Sequence, residues 1–273
     1  MTSNYKIIQE TTYFLKDNGI VSPEILVILG SGQSNGFRNF NLIKSLKYSD
    51  IPHFPTSTVK GHKGELQYGS IENKNVLIMN GRFHLYEGYS AGEIAIPIQI
   101  SKLLGVKILV VTNAAGGINR FFKTGDIIII NDHINLTGQN PLIGPNIEDI
   151  GKRFTIMNNL YTIEYRNKLV NIATSLGVKV MQGVYAGLLG PNLETGAELT
   201  MLKTIGADLA GMSTVTEVIA AKHANMEIVG LSIVTNSELP GKASDTSHDE
   251  VIDVACKTVP NLMKLIEEFI KSL

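Results

Sequence analysis

The chain has 273 residues, 44% hydrophobic and 18% charged, a balance that suits a folded domain with a sizeable buried core. Its formal net charge of -1 lacks the excess of Lys and Arg that a polyanionic partner such as nucleic acid calls for. A single cysteine, Cys256, excludes an intrachain disulfide and points to a reducing compartment, where a buried apolar thiol is the default expectation.

Residues 1–20 read as an amphipathic helix with Ile7, Ile8, Phe14 and Leu15 on one stripe, without the basic stretch and apolar core of a secretory leader. Short apolar, β-branched runs then recur at 25–29, 76–79, 108–111, 127–130, 178–184 and 228–234. Strands buried on both faces have this composition, because neither side needs polar residues. Helical spacing occupies 91–104, 160–176, 196–205 and 215–224, and 249–273 is an amphipathic terminal helix that Pro260 is expected to interrupt or kink. The alternation predicts an α/β fold: a single domain over 1–273 with a mixed, largely parallel central β-sheet flanked by helices. The most apolar runs, such as 107–112 and 126–130, are too short to cross a bilayer, so a soluble, cytoplasmic protein without a membrane partner is expected.

Ligand sites in such sheets form where loops leave the C-terminal ends of the strands. Six segments fit. Gly30-Ser31-Gly32-Gln33-Ser34-Asn35-Gly36 follows the first strand; its backbone N–H groups and the Ser31 hydroxyl suit an anion, although a simple turn fits equally. In Gly81-Arg82-Phe83-His84-Leu85-Tyr86-Glu87-Gly88, an extended backbone would point Arg82, His84 and Tyr86 to one face as an oxyanion clamp. The alternative is a solvated edge with a salt bridge to Glu87. Val111-Thr112-Asn113-Ala114-Ala115-Gly116-Gly117 opens into small residues, and Ala114 could offer its N–H; a helix-packing turn has the same composition.

Gly190-Pro191-Asn192-Leu193-Glu194-Thr195 places a carboxylate where it could accept from a planar heterocycle, or merely favour a helix N-terminus. Ser213, in Gly211-Met212-Ser213-Thr214, could equally cap the helix that follows, and Met212 could be core. Asn236 ends the last apolar strand as a base contact or a turn residue, and His248 lies at a helix start, a place usual for a surface residue. The six histidines form no His-x-x-x-His pair and have no cysteine cluster, so no metal site is expected.

Taken in order, these segments resemble the homotrimeric purine nucleoside phosphorylase family, of the 6-oxopurine type that cleaves inosine and guanosine. The likeness also includes Lys60-Gly61-His62-Lys63-Gly64, Asp132-His133-Ile134-Asn135-Leu136 and Gly138-Gln139-Asn140-Pro141-Leu142, and runs from about Ile25 to the terminal helix. The resemblance implies a phosphate site of Ser31, Arg82, His84, the Ala114 backbone and Ser213, covered by a loop carrying His62. It implies ribose contacts from Tyr86, Met212 and His248, and a purine pocket of Glu194 and Asn236 lined by Tyr185 and Leu193. Phe154 would close the sugar pocket of a neighbouring subunit, and Asn236, Glu194 and His84 would carry the catalysis.

Phosphate would be a co-substrate, and no metal or organic cofactor is implied. Asn236 followed by Ser237 resembles the inosine and guanosine enzymes rather than those for methylthioadenosine, which carry aspartate in this region. Leu193 replaces an aromatic of many relatives, Ser237 a lysine of some, and the loop before Gly138 is shorter than theirs. A methylthioadenosine phosphorylase, a water-using nucleosidase and a silent nucleoside-binding protein are the alternatives on the same scaffold.

Overall fold

Strand β1 (Ile25–Ile28) is four aliphatic residues, all buried, because it lies in the sheet between two parallel neighbours. Those neighbours are β4 (Lys74–Asn80) and β5 (Ile108–Gly117). The computed structural model describes residues 3–33, 37–56, 63–237 and 248–273, apart from the side chains of Ser3, His248 and Asp249.

Helix α1 (Ser3–Asp17) precedes β1 and buries Ile8 and Leu15 while leaving Ile7 and Phe14 half-buried. The antiparallel strands β2 (Asn41–Lys47) and β3 (Glu65–Ile71) extend the sheet outward from β4. Helix α2 (Ala91–Leu104) then leads into β5. It starts at Ser90, whose hydroxyl accepts from Glu93 N at 3.2 Å while Ser90 N donates to the Glu93 carboxylate at 2.8 Å. The rest of the chain is β6 (Ile127–Asn135), α3 (Ile163–Leu176), β7 (Val180–Gly187), α4 (Gly196–Thr204), β8 (Leu209–Gly211), α5 (Val215–His223), β9 (Glu227–Ser237) and α6 (His248–Lys271).

Strand β5 organises the molecule. It pairs in parallel with β9 from Ile108 opposite Glu227 to Gly117 opposite Ser237, while its glycine end pairs antiparallel with β8. Since β8–β7 and β7–β6 are parallel and β6–β9 antiparallel, these five strands close into a ring. The C-terminal ends of β1, β4, β5 and β9 therefore open on one side of the sheet.

This is the expected α/β class with a mixed sheet, but three strands are additional. Strand β2 is an edge strand, exposed or half-exposed throughout and rich in Asn, Lys and Ser, so it carries no apolar run. The side-chain pattern of β3 is broken by Gly69, and β8 is only three residues long. Strands β5, β6 and β9 also continue past their aliphatic runs into polar residues, and those of β5 and β9 reach a cavity at the strand ends.

Two expectations about α6 are corrected. Pro260 does not interrupt it. The helical bond that proline removes would have gone to the carbonyl of Cys256, on the exposed side, where water can replace it. Cys256 is likewise exposed rather than buried. Ala255, Val259, Leu262, Ile266 and Phe269 take the inward stripe, and Cys256 falls beside it, with Sγ 3.5 Å from Gly32 O. Among the described residues no helix is long and apolar enough to cross a membrane.

Candidate active site

A cavity of about 510 Å³ opens at the ends of the parallel strands. The loop after β1 contributes Ser31, and the segment after β4 contributes Arg82, His84 and Tyr86. Asn113 and Ala114 come from β5, Met212 and Ser213 from the turn after β8, and Thr235 and Asn236 from β9. Leu193 and Glu194, on the loop after β7, line the same space, and Val251 of α6 forms part of the wall.

The wall next to β5 is built around the first glycine of the loop after β1. A Cβ on Gly30 would lie 2.9 Å from Asn113 Cα, so only glycine lets this loop press against β5. Gln33, fully buried, ties the loop down: its Oε1 accepts from Gly30 N at 3.0 Å and its Nε2 donates to Asn113 O at 3.4 Å. The Thr112 hydroxyl touches the same Oε1.

Arg82 is 1% exposed, which rules out the solvated edge. Its Nε and Nη2 both donate to Glu217 Oε1 at 3.0 Å, and Nη1 donates to Thr112 O. Glu87 pairs with His84 instead, Nδ1 to Oε1 at 2.8 Å, and also accepts from His84 N at 2.9 Å. A carboxylate can only accept, so Nδ1 carries the proton and Nε2 is the other working nitrogen of the ring. Burial lowers the His84 pKa below its ordinary value, opposed by the hydrogen bond to Glu87 and reinforced by the Arg82 charge.

Arg82, His84 and Tyr86 share the cavity as expected, but not through a continuous extended backbone, because Leu85–Glu87 form a 3-10 turn. The turn instead folds the Tyr86 ring onto His84, with centroids 4.6 Å apart and planes 17° from parallel. Burial pushes the Tyr86 phenol up to about 12. Phe83 turns away into an aromatic cluster with Tyr48, Phe54 and Tyr89.

Ser213 does not cap α5; Thr214 holds the N-cap position, with φ 73° and no capping hydrogen bond from its side chain. Asn113 Nδ2 donates to Thr214 Oγ1 at 2.9 Å, and Thr214 Oγ1 lies 3.1 Å from Ser213 Oγ. Tyr185 is corrected from a lining residue to a support. It is 0% exposed and lies behind the wall, its hydroxyl accepting from Ser213 N at 3.3 Å. Gly211 sits directly on it, and a Cβ there would come within 2.4 Å of the phenol oxygen.

On the loop after β7, Glu194 is half-buried, while Thr195 and Glu198 take over the start of α4. The Thr235 hydroxyl donates to Asn236 Oδ1 at 3.0 Å, and Leu193 is 53% exposed. Phe154 is outside the cavity and 88% exposed. His62 lies outside the described residues, as does the side chain of His248, the first residue of α6.

Sequence reasoning passed over Gln33, Asn113, Thr214, Glu217, Thr235 and Val251. Glu217 had a readable signal: the only carboxylate of α5, flanked by Val215, Val218 and Ile219, needs a cation if it is to be buried, and Arg82 is that cation. The others look like ordinary turn, helix or strand residues until the fold brings them together. Among the described residues, no group of His, Cys, Asp and Glu could hold a metal ion.

A family model described as the phosphorylase superfamily matches residues 24–271. Purine nucleoside phosphorylase 1 of Geobacillus stearothermophilus is 43% identical, covering 99% of this chain and 98% of its own. The purine nucleoside phosphorylase of Bos taurus is 40% identical over 98% of this chain and 96% of its own. The solved structure of Schistosoma mansoni purine nucleoside phosphorylase in complex with adenosine matches with a TM-score of 0.92 and 38% identity, covering 100% of this chain and 99% of that one. Its complex with inosine matches at 0.91 and 39%, covering 100% and 98%.

Proposed function

The chain belongs to the purine nucleoside phosphorylase family, and on that premise we propose that it cleaves the N-glycosidic bond of purine nucleosides with inorganic phosphate, preferring inosine and guanosine. The products are the free base and ribose 1-phosphate, or deoxyribose 1-phosphate from deoxynucleosides. The observation that carries this reading is one cavity lined both by residues suited to an anion and by residues suited to a purine base. Ser31, Arg82, His84, Ala114 and Ser213 form the first group, and Glu194 and Asn236 the second.

Phosphate held by the first group serves as co-substrate, without a metal or organic cofactor. One of its oxygens attacks C1′ while the bond from C1′ to N9 breaks, and the bonding pair leaves with the purine. Positive charge grows on the sugar, as in other glycosyl transfers, and the phosphate dianion beside it is stabilising. Negative charge grows on the base. With Asn236 Oδ1 already accepting from Thr235, the amide nitrogen is the group turned to N7 and O6 of a 6-oxopurine. Glu194 accepts from N1–H and a 2-amino group; Tyr86, Met212 and His248 hold the sugar.

The same reading makes the protein a homotrimer in which Phe154 closes a neighbour's sugar pocket. Its support is an exposed apolar patch: Ile143 is 81%, Phe154 88% and Ile156 75% exposed. The two segments are joined where Arg153 Nη1 donates to Leu142 O at 3.1 Å and to Gly144 O at 2.6 Å. A cytoplasmic location suits the single free thiol, Cys256.

The test is a product assay with inosine, guanosine and methylthioadenosine, with and without phosphate. Phosphate-dependent release of ribose 1-phosphate from inosine and guanosine is expected. Faster cleavage of methylthioadenosine would sink the base preference, free ribose would indicate a hydrolase, and no turnover would leave a binding protein.

A further inference from the structure

The buried side chains next to Ser213 form a short chain of hydrogen bonds, Asn113 to Thr214 to Ser213. Asn113 is 1% exposed and Thr214 0%, so neither can exchange its partner for bulk water. An amide nitrogen only donates, and that of Asn113 donates to Thr214 Oγ1 at 2.9 Å. Thr214 accepts from Asn113 with one of its two lone pairs, and, being fully buried, has Ser213 Oγ, 3.1 Å away, as the acceptor placed for its own proton. The Ser213 proton is then not needed by Thr214; Ser213 lines the cavity, with the buried Tyr185 hydroxyl as the other neighbour of its side chain.

The opposite order would run from Ser213 through Thr214 to Asn113 Oδ1. It would strip the buried amide nitrogen of its acceptor, and orphaned buried N–H groups are rarer than under-used carbonyl oxygens. Accordingly Asn113 Oδ1, not Nδ2, is the buried atom without a hydrogen-bond partner. The backbone of Thr214 is organised for the same end. A φ of 73° is unusual for a β-branched residue, and although Thr214 stands at the N-cap of α5 its hydroxyl makes no cap bond. The hydroxyl is turned to Asn113 and Ser213 instead.

We infer that Asn113 and Thr214 are positioning residues that commit the Ser213 hydroxyl to donate into the cavity, and so tune affinity for the phosphate co-substrate. The inference rests on the proposed role of Ser213 as a phosphate ligand. A hydroxyl free to act either way must first be turned; one already accepting from Thr214 is a donor before phosphate arrives, and the chain strengthens it. Tyr185 fixes the Ser213 backbone from behind through the bond from Ser213 N.

The experiment is steady-state kinetics on the whole enzyme with phosphate and inosine varied separately. Thr214→Ala should raise the KM for phosphate about tenfold, the scale of weakening one hydrogen bond to a charged group, with kcat and the KM for inosine within about twofold. Thr214→Ser keeps the hydroxyl and should restore the phosphate KM to within about twofold. In a Ser213→Ala background, Thr214→Ala should add nothing further, because it acts only through that hydroxyl. A phosphate KM unchanged in Thr214→Ala, an equal loss in Thr214→Ser, or additive effects in the double variant would overturn the relay. A phosphate KM unaffected by Ser213→Ala alone would instead remove Ser213 from the phosphate site, and the relay with it. If Thr214→Ala does not fold, Thr214→Gly supplies the same comparison, since a positive φ suits glycine.

Discussion

Arg82 and Glu217 meet through a single carboxylate oxygen: Nε and Nη2 both reach Glu217 Oε1 at 3.0 Å, with the side chains 1% and 5% exposed. The pair joins the segment after β4 to α5, and it holds the guanidinium where it lines the cavity. Removing the carboxylate leaves a buried cation without its counterion. Glu217→Ala should therefore lower the unfolding free energy by about 3–5 kcal/mol and raise the phosphate KM together. Denaturant unfolding checks the first effect and kinetics the second; a loss below about 1 kcal/mol would show that the pair is dispensable.

Asn236 is the group placed to meet charge on the departing base. Asn236→Ala should reduce kcat/KM for inosine by roughly 10²–10³, the scale for a donor that acts mainly in the transition state. Activity within a few-fold of the parent would assign leaving-group stabilisation elsewhere. Asn236→Asp should shift preference toward 6-aminopurines, since an acceptor then faces the exocyclic group. Unchanged selectivity would argue against this base reading.

His133 predicts an acid-side stability slope. Its Nδ1 lies 3.1 Å from the Tyr161 hydroxyl, and burial lowers its pKa from 6.5 to about 4, with Asp132 opposing. The unfolded chain takes up a proton near 6.5 that the folded chain refuses until about 4. This contribution to stability is thus complete above about 6.5 and is lost as pH falls from there toward 4. Melting curves from pH 7 to 4 should show the decline, and His133→Gln should flatten it. A slope identical in both proteins would dismiss His133 as its source.

Phe154 is 88% exposed in the isolated chain. If it closes a neighbour's sugar pocket, Phe154→Ser should raise the KM for inosine about tenfold or more, the scale of one lost aromatic contact. The phosphate KM should move little. Mass measurement under native conditions should find three chains per particle; a fully active monomer would refute the assignment.

The aliphatic runs at β1, β4, β5 and β9 were legible because a strand buried on both faces has no choice but to be apolar. The loop that begins at Gly30 was legible too, and Gly30 sits where a Cβ would collide. Strand β2 was not, since an edge strand facing water keeps a polar sequence. Nor was the exposure of Cys256, which depends on the stripe through Ala255 and Val259 being the one that α6 buries.

By itself the sequence determined the fold class, the strand ends that carry chemistry and the identity of most cavity residues, including Arg82, His84, Glu194 and Asn236. The fold class and strand ends follow from local composition, and the cavity residues from the family resemblance that the order of the segments carries. Tertiary structure alone decided the partners: Glu217 rather than Glu87 for Arg82, Glu87 for His84, and Asn113 with Thr214 behind Ser213. It also moved Tyr185 from the lining to the support. The reason is physical. Local pattern reports which face of a segment meets water, but a hydrogen-bond partner 135 residues away is chosen only when packing brings two buried polar groups together.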